Sequence, residues 1–399
     1  MKREQLVFVL AIIMIFPLFS GCWSRNEIET IAIVSGIGID KISADGGEKF
    51  LLTANIVRPS LVSGGAQGTG GRAGQPISWS INSIGKTLSD CERNLNLRAA
   101  RTIFYGHTRY VVLSENSARE EFSDVLDYIS RHSDMRLRIL LFVTRDSPQD
   151  LLKSFPELEN TRARQVMGME SIGGPRASKI DIRDMAEITD ELITPGIDPV
   201  IANVSTMISA PTEAGGQPIK VLRFEGGGVI REKGLVGWLS EVETRGYMLA
   251  TGRAREGAFP VNLQKQPMPD TTLNLTRMSS KTRVELKENR AVATIEIRAE
   301  GDLVEYHGQE EIATDEGILK MEKAFAKEIN NEIMAAVKKA QQLDADIFGF
   351  GAELHRSNPK AWKHVEKDWY VIFPTIEVKT KVTADIRRTG FIADPYILK

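Results

Sequence analysis

A serine three residues ahead of a lysine, Ser83-Ile84-Gly85-Lys86, has the S-x-x-K spacing of acyl-transfer sites in which a serine hydroxyl is the attacking group. The S-D-N and K-T-G segments that complete such sites are missing from the sequence, and Ser83 reads better as the N-cap of a helix over residues 83–97. His107, His132, His307, His355 and His364 show no pairing at three or four residues and have no cysteine pair nearby, so no zinc site is expected. Gly68-Thr69-Gly70-Gly71-Arg72-Ala73 has the glycines of a dinucleotide fingerprint. Pro76 and the strand-like Ile77-Ser78-Trp79-Ser80 follow where a phosphate-binding helix should open, so this stretch reads as a linker. Asp344 and Asp346 are spaced by two, which points them apart on a helix; they read as helix-end residues, not an acid–base pair. No catalytic residue, cofactor site or metal site is expected.

The residue with the clearest chemical assignment is Cys22. Lys2 and Arg3 are followed by an almost wholly apolar run, Leu6 to Phe19, and then by the small residues Ser20 and Gly21, the pattern of a secretory signal peptide over residues 1–21. The run is too short for a spanning helix, which needs about 20 residues, and Pro17 interrupts it. Phe19-Ser20-Gly21-Cys22 resembles a bacterial lipobox, with Phe19 where Leu is usual. That resemblance implies a thiolate carrying diacylglycerol and an N-acylated mature terminus. Each buried CH₂ adds about 0.8 kcal/mol, so such chains tether a protein durably.

With Cys22 acylated, Cys91 is the remaining thiol, and no intramolecular disulfide is possible. Its register with Ile84, Leu88 and Leu95 predicts a small core residue on a buried helical face. The sequence is 42% hydrophobic and 26% charged, ordinary globular values, and its length suggests more than one domain. A net charge of −2 without long basic runs gives no footprint for nucleic acid.

Positioning elements follow in alternation. Ile31–Asp40 and Phe50–Val57 read as strands joined through Asp45-Gly46-Gly47 as a hairpin, and the glycine-rich residues 63–76 read as a mobile loop. Thr108–Leu113, Leu137–Val143 and Val200–Ser209 read as further strands. Helices are expected over 83–97, over 116–130, from Pro148 through Phe155, and in parts of 162–191. PTEAGGQP at 211–218 breaks all periodicity. The expected division is an N-terminal α+β region over 22–209, one or two subdomains, a linker over 210–219 and a C-terminal α+β domain over 220–399.

In the second half Ala291, Ala293, Ile295, Ile297 and Ala299 alternate with polar or exposed positions, as do Ile376 through Ile386, which predicts long antiparallel strands. Between them Met321, Phe325, Ile329, Ile333, Val337 and Ala340 form one stripe of a helix of about 30 residues capped by Thr314 or Asp315, roughly 45 Å long. The fold expected is α+β: several domains, each a mainly antiparallel sheet flanked by helices, with the long helix on the C-terminal sheet.

Asp346-Ile347-Phe348-Gly349-Phe350-Gly351, followed by His355-Arg356, Pro359, Trp362, Trp369 and Phe373, resembles the C-terminal domain of the Ger(x)C family of spore germination proteins. The resemblance takes in Leu235-Val236-Gly237-Trp238-Leu239, Glu243-Thr244-Arg245-Gly246, Arg388-Thr389-Gly390, Phe104-Tyr105-Gly106-His107, Arg136, and Gly21-Cys22-Trp23-Ser24-Arg25 leading into Ala32 to Lys41. It implies a non-enzymatic lipoprotein C subunit of a nutrient germinant receptor. It also implies a place on the outer face of the spore inner membrane, with integral-membrane A and B subunits as partners. Read physically, Gly349 and Gly351 suit the end of the long helix, and Trp362 and Trp369, two turns apart, pin the returning segment. Gly349, Gly351, Arg356, Pro359, Trp362, Trp369 and Phe373 are thus candidates for packing or an interface. A small-molecule-binding lipoprotein is the alternative.

Overall fold

Tyr110–Ser114 and Leu140–Thr144 are largely apolar runs buried at every position, as strands covered on both faces must be. They sit at the centre of the larger of two sheets in the computed structural model, which describes residues 30–44, 46–57, 77–156, 158–209, 218–264, 267–287, 290–308 and 311–389. The signal segment, Cys22, the glycine-rich stretch 63–76, linker residues 210–217 and Gly390 lie outside these residues.

The strands of this sheet are β1 (Ile31–Ala44), β2 (Gly47–Val57), β3 (Ser78–Gly85), β4 (Thr102–Phe104), β5 (Tyr110–Ser114), β6 (Leu140–Thr144), β7 (Val200–Ser209), β8 (Ile219–Arg231) and β9 (Gly234–Leu239). Their order is β3-β2-β1-β5-β6-β7-β8-β9, with β4 beside the start of β1. The hairpin β1–β2 forms as expected. Alternate residues feed two cores: Val111, Leu113, Leu141 and Val143 on one face, Tyr110, Val112, Leu140 and Phe142 on the other.

Helices α1 (Leu88–Asn96), α2 (Glu115–Glu120), α3 (Phe122–Arg131) and α4 (Met185–Ile193) bury Leu88, Cys91, Leu95, Phe122, Val125, Ile129, Met185 and Ile188 in the first core. Leu151, Leu152, Ala163 and Val166 close the second. Cys91 is a fully buried free thiol, pushed up to about 11 by that burial.

Several local expectations shift. Residues 83–85 are strand, not helix: the N-cap of α1 is Thr87, which accepts from the backbone N–H of Asp90, while the Ser83 hydroxyl donates to the Cys91 carbonyl. Ile84 accordingly leaves the buried stripe and is half exposed. The helix expected over 116–130 breaks at Glu121 into α2 and α3. Pro148 does open a helix at its first position, but that helix closes at Leu151.

The α+β class stands; the larger sheet is mixed, with half of its pairings parallel, and the second is mainly antiparallel with one parallel pair. β1 pairs parallel with β4 and β5, β5 with β6, and β6 with β7, because helical segments separate β5 from β6 and β6 from β7 and carry the chain back to the same end. The strands on either side of residues 210–217 pair antiparallel with each other, so the sheet continues across the expected linker and the chain leaves it only after Leu239.

Helix α5 (Glu241–Ala250) leads into the second sheet, β10 (Gly257–Val261), β11 (Thr271–Lys287), β12 (Arg290–Tyr306) and β13 (Glu377–Arg388), in that order. The expected stripe is buried in full on α6 (Asp315–Gln342), capped by Thr314, and packs on Ala291, Ala293, Ile295, Ile297 and Ala299. β12 and β13 pair parallel, not antiparallel. The reason lies between them: α6, α7 (Phe350–Ser357) and α8 (Pro359–Val365) form a crossover that returns the chain to the starting end of β12.

Candidate functional site at the junction of the two sheets

The motif residues lie where the two sheets meet, and glycine decides how closely. Gly196, at φ +80°, belongs to the loop between α4 and β7; Gly351 belongs to the first turn of α7. A Cβ on Gly351 would fall 2.7 Å from the Gly196 Cα and 2.7 Å from the Trp369 indole nitrogen, so neither glycine tolerates a side chain. The contact is fastened by the Ala352 N–H, which donates to the Gly196 carbonyl at 3.1 Å.

Asp346 is the polar centre of this contact. Its carboxylate is fully buried and accepts from the N–H groups of Phe350 (3.0 Å) and Gly351 (2.8 Å) and from the Trp369 indole (3.0 Å). Its backbone meets Asp198 of the first half: the Asp346 N–H donates to the Asp198 carboxylate at 2.7 Å, and the Asp198 N–H donates to the Asp346 carbonyl at 2.9 Å. The Tyr370 hydroxyl donates to the other oxygen of Asp198 at 3.2 Å. Arg231 donates to the Asp344 carbonyl at 2.9 Å, its guanidinium 5.6 Å from the Tyr370 ring centre. Burial lifts Asp346 to about 7 and Asp198 to about 6, because desolvation outweighs the N–H and O–H donors that favour the charged forms.

Two buried ion clusters extend the junction. Arg183 and Arg253 both pair with Asp181 and Glu191, and Tyr247 donates to Asp181, so two cations and two carboxylates compensate one another between the α4 region and α5. Inside the second half Arg245 grips Glu332 of α6 with Nε and a terminal nitrogen, donates to the Ala258 carbonyl and stacks 4.0 Å over Phe259. The segment Glu243-Thr244-Arg245-Gly246 is therefore a helix start, with Glu243 in a capping box with Ser240, that also supplies a buried clamp.

The structure sorts the candidate residues. Gly349 adopts the left-handed conformation (φ +68°), but it opens α7; the long helix is closed instead by Asp344 (φ +51°), with Ala345 N–H to Ala340 carbonyl and Asp344 N–H to Gln341 carbonyl as a Schellman pair. Asp346 lies past the end of α6 and serves the start of α7, whose first N–H groups its carboxylate accepts. Trp362 and Trp369 are both buried with rings 5.4 Å apart edge to face, yet a 3₁₀ turn at Glu366–Asp368 separates them, so they do not share one helix. Phe373 is fully buried beside Phe350, and Pro359 occupies the first turn of α8 behind the Asn358 cap. Arg356 is exposed, pairs with Glu353, and borders an open cleft of about 770 Å³ with Phe348, Gly349, Arg253, Lys281 and Arg283. Asp198, Gly196 and Arg231 carry no local sequence signal; their partners lie more than a hundred residues away.

Two families match this chain in order. Residues 24–206 match the spore germination protein N-terminal domain, and residues 225–390 match the spore germination B3/GerAC-like C-terminal domain. The chain is similar to spore germination protein KC of Bacillus subtilis strain 168, 26% identical with 99% of this chain and 98% of that protein covered. It is similar to the putative spore germination protein YfkR of the same strain, 26% identical over 98% of each chain. It is also similar to that strain's spore germination protein A3, 23% identical over 94% of this chain and 95% of that one. Among solved structures it shares the fold of the GerBC protein crystal structure, with a TM-score of 0.54, 16% identity, and 88% of this chain and 97% of that one covered.

Proposed function

We propose that this chain, which belongs to the GerAC-like family of spore germination proteins and so has a role in spore germination, works as the lipid-anchored, non-enzymatic C subunit of a nutrient germinant receptor. It is held through Cys22 on the outer face of the spore inner membrane and acts by contact with integral-membrane A and B subunits. The observation that carries this reading is the ordered match of both germination domains, with relatives similar over nearly their whole length. The lipobox-like end of the signal segment supports the anchor, and among the described residues no helix is long and apolar enough to cross a membrane.

Mass spectrometry of the N-terminal peptide from spore membranes tests the anchor: diacylglycerol on Cys22 is expected, and Cys22→Ala weakens nutrient-triggered germination. A bare Cys22 with an unaltered response in the variant contradicts it. The open cleft bordered by Arg356 and Arg283 keeps the small-molecule reading in play. Calorimetry of the purified chain with amino acids and sugars separates the two, since tight direct binding favours the second reading.

A further inference from the structure

Strand direction fixes which end of the larger sheet receives the start of the described chain. β1 begins at Ile31, pairs there with Thr102 at the start of β4, and runs parallel to β5, which runs parallel to β6. The N-terminal ends of these strands therefore point the same way, though not at one level: β4 starts beside Ile31, while β5 and β6 start level with Gly36, five residues farther along β1. Four arginines stand in the connections that enter them: Arg101 before β4, Arg109 before β5, Arg136 and Arg138 before β6. The Arg109 N–H donates to the Ser35 carbonyl of β1, and the Leu140 N–H of β6 donates to the Arg109 carbonyl, which ties these connections together.

All four arginines are exposed, and among the described residues none has an ion-pair partner. Leu97 is 85% exposed and Leu137 48%. Of the carboxylates at this end, Asp184 and Glu187 are engaged in the capping box of α4, Glu170 lies near Arg138, and Asp134, which accepts from the Ser133 hydroxyl, stands two residues before Arg136, so four arginines face two carboxylates outside the cap. On a chain of net charge −2, unpaired arginines gathered with exposed leucines are a local surface of opposite character to the whole. Seven residues lie between Cys22 and Thr30, and the eight Cα-to-Cα steps reach at most about 28 Å.

We propose that this end of the sheet is a membrane-docking surface, its arginines binding the phosphates of anionic phospholipids while Leu97 and Leu137 enter the headgroup layer. The proposal rests on the anchored reading above, since the tether is what holds this end within reach of the bilayer. It fixes an orientation in which the starts of β1 and β4 lead toward the lipid, with those of β5 and β6 set back along β1.

Vesicle co-sedimentation of the mature chain, residues 22–399 with Cys22→Ser, tests the surface without any acyl chain. At low salt, tighter binding by about tenfold or more is expected to vesicles of equal phosphatidylcholine and phosphatidylglycerol than to phosphatidylcholine alone, weakening as salt is raised. Reversal of the four charges (Arg101→Glu, Arg109→Glu, Arg136→Glu, Arg138→Glu) should abolish the preference. Reversal of the exposed Lys338, Lys360, Lys363 and Lys367 to Glu should leave most of it. Equal binding to both vesicles, or equal losses in the two variants, overturns the proposal. Melting curves identify any variant that fails to fold, for which the matching Arg→Gln set substitutes. Because this chain carries no lipid, a failure here is distinct from a bare Cys22 in spores, which would remove the tether and leave the vesicle result standing.

Discussion

Asp346 holds a carboxylate out of water at a point where two halves of the chain share hydrogen bonds, and its raised pKa makes the junction sensitive to pH. The folded value of about 7 exceeds the ordinary aspartate value of 3.8, so the folded state keeps a proton that the unfolded chain has released. Its contribution to stability is full below about pH 4 and is lost as pH rises through about 7. Thermal unfolding of the full chain at pH 5 and pH 8 is expected to show the higher midpoint at pH 5. Asp346→Asn should reduce that difference and leave the smaller part that Asp198, raised to about 6, contributes with the same sign, at a cost of about 2 kcal/mol or more, because an amide cannot accept all three N–H groups. Gly351→Ala drives a methyl into backbone and indole, which should cost about 3 kcal/mol and raise hydrogen exchange in α7 and the 194–199 loop. The sequence shows that residues 346–373 act as a unit, because their aromatics and glycines cluster. It does not show Asp198, since a lone aspartate before a proline reads as a turn until its partner 148 residues away is known.

At the scale of elements, periodicity carried most of the information. The stripe on α6 and the alternation of β12 are visible because one covered face imposes one spacing, and both are buried as that spacing requires. Ile329→Ala, at the centre of the stripe, is expected to cost about 2–5 kcal/mol, and Thr314→Ala about 1 kcal/mol by removing the hydrogen bond to the Gly317 N–H. Denaturant unfolding monitored by circular dichroism checks both, and the reverse ranking would contradict the packing described. Strand direction was not legible: the same alternation serves parallel and antiparallel ladders, and only the crossover through α6, α7 and α8 sets β13 parallel to β12. Helix starts erred for a related reason. Ser83 and Thr87 are both good caps, and the choice fell to Thr87 because β3 pairs with β2 as far as Gly85.

For the molecule as a whole, the junction joins the two sheets through compensated buried charge: Arg183 and Arg253 both hold Asp181 and Glu191, while the Asp198 N–H donates to the Asp346 carbonyl and the Asp346 N–H to the Asp198 carboxylate. Removing one partner of such a cluster leaves a buried charge uncompensated and costs about 3–5 kcal/mol, so the two halves are expected to move as one body. A rigid body is suited to meeting neighbours in the plane of the membrane, which, with the lipid anchor, is the role proposed for it. The most direct test is affinity purification of a C-terminally tagged chain from detergent-solubilised spore membranes, with mass spectrometry of what accompanies it. Two integral-membrane germination subunits should co-purify in near-equal amounts; recovery of the tagged chain alone, from spores in which those subunits are present, would contradict the account.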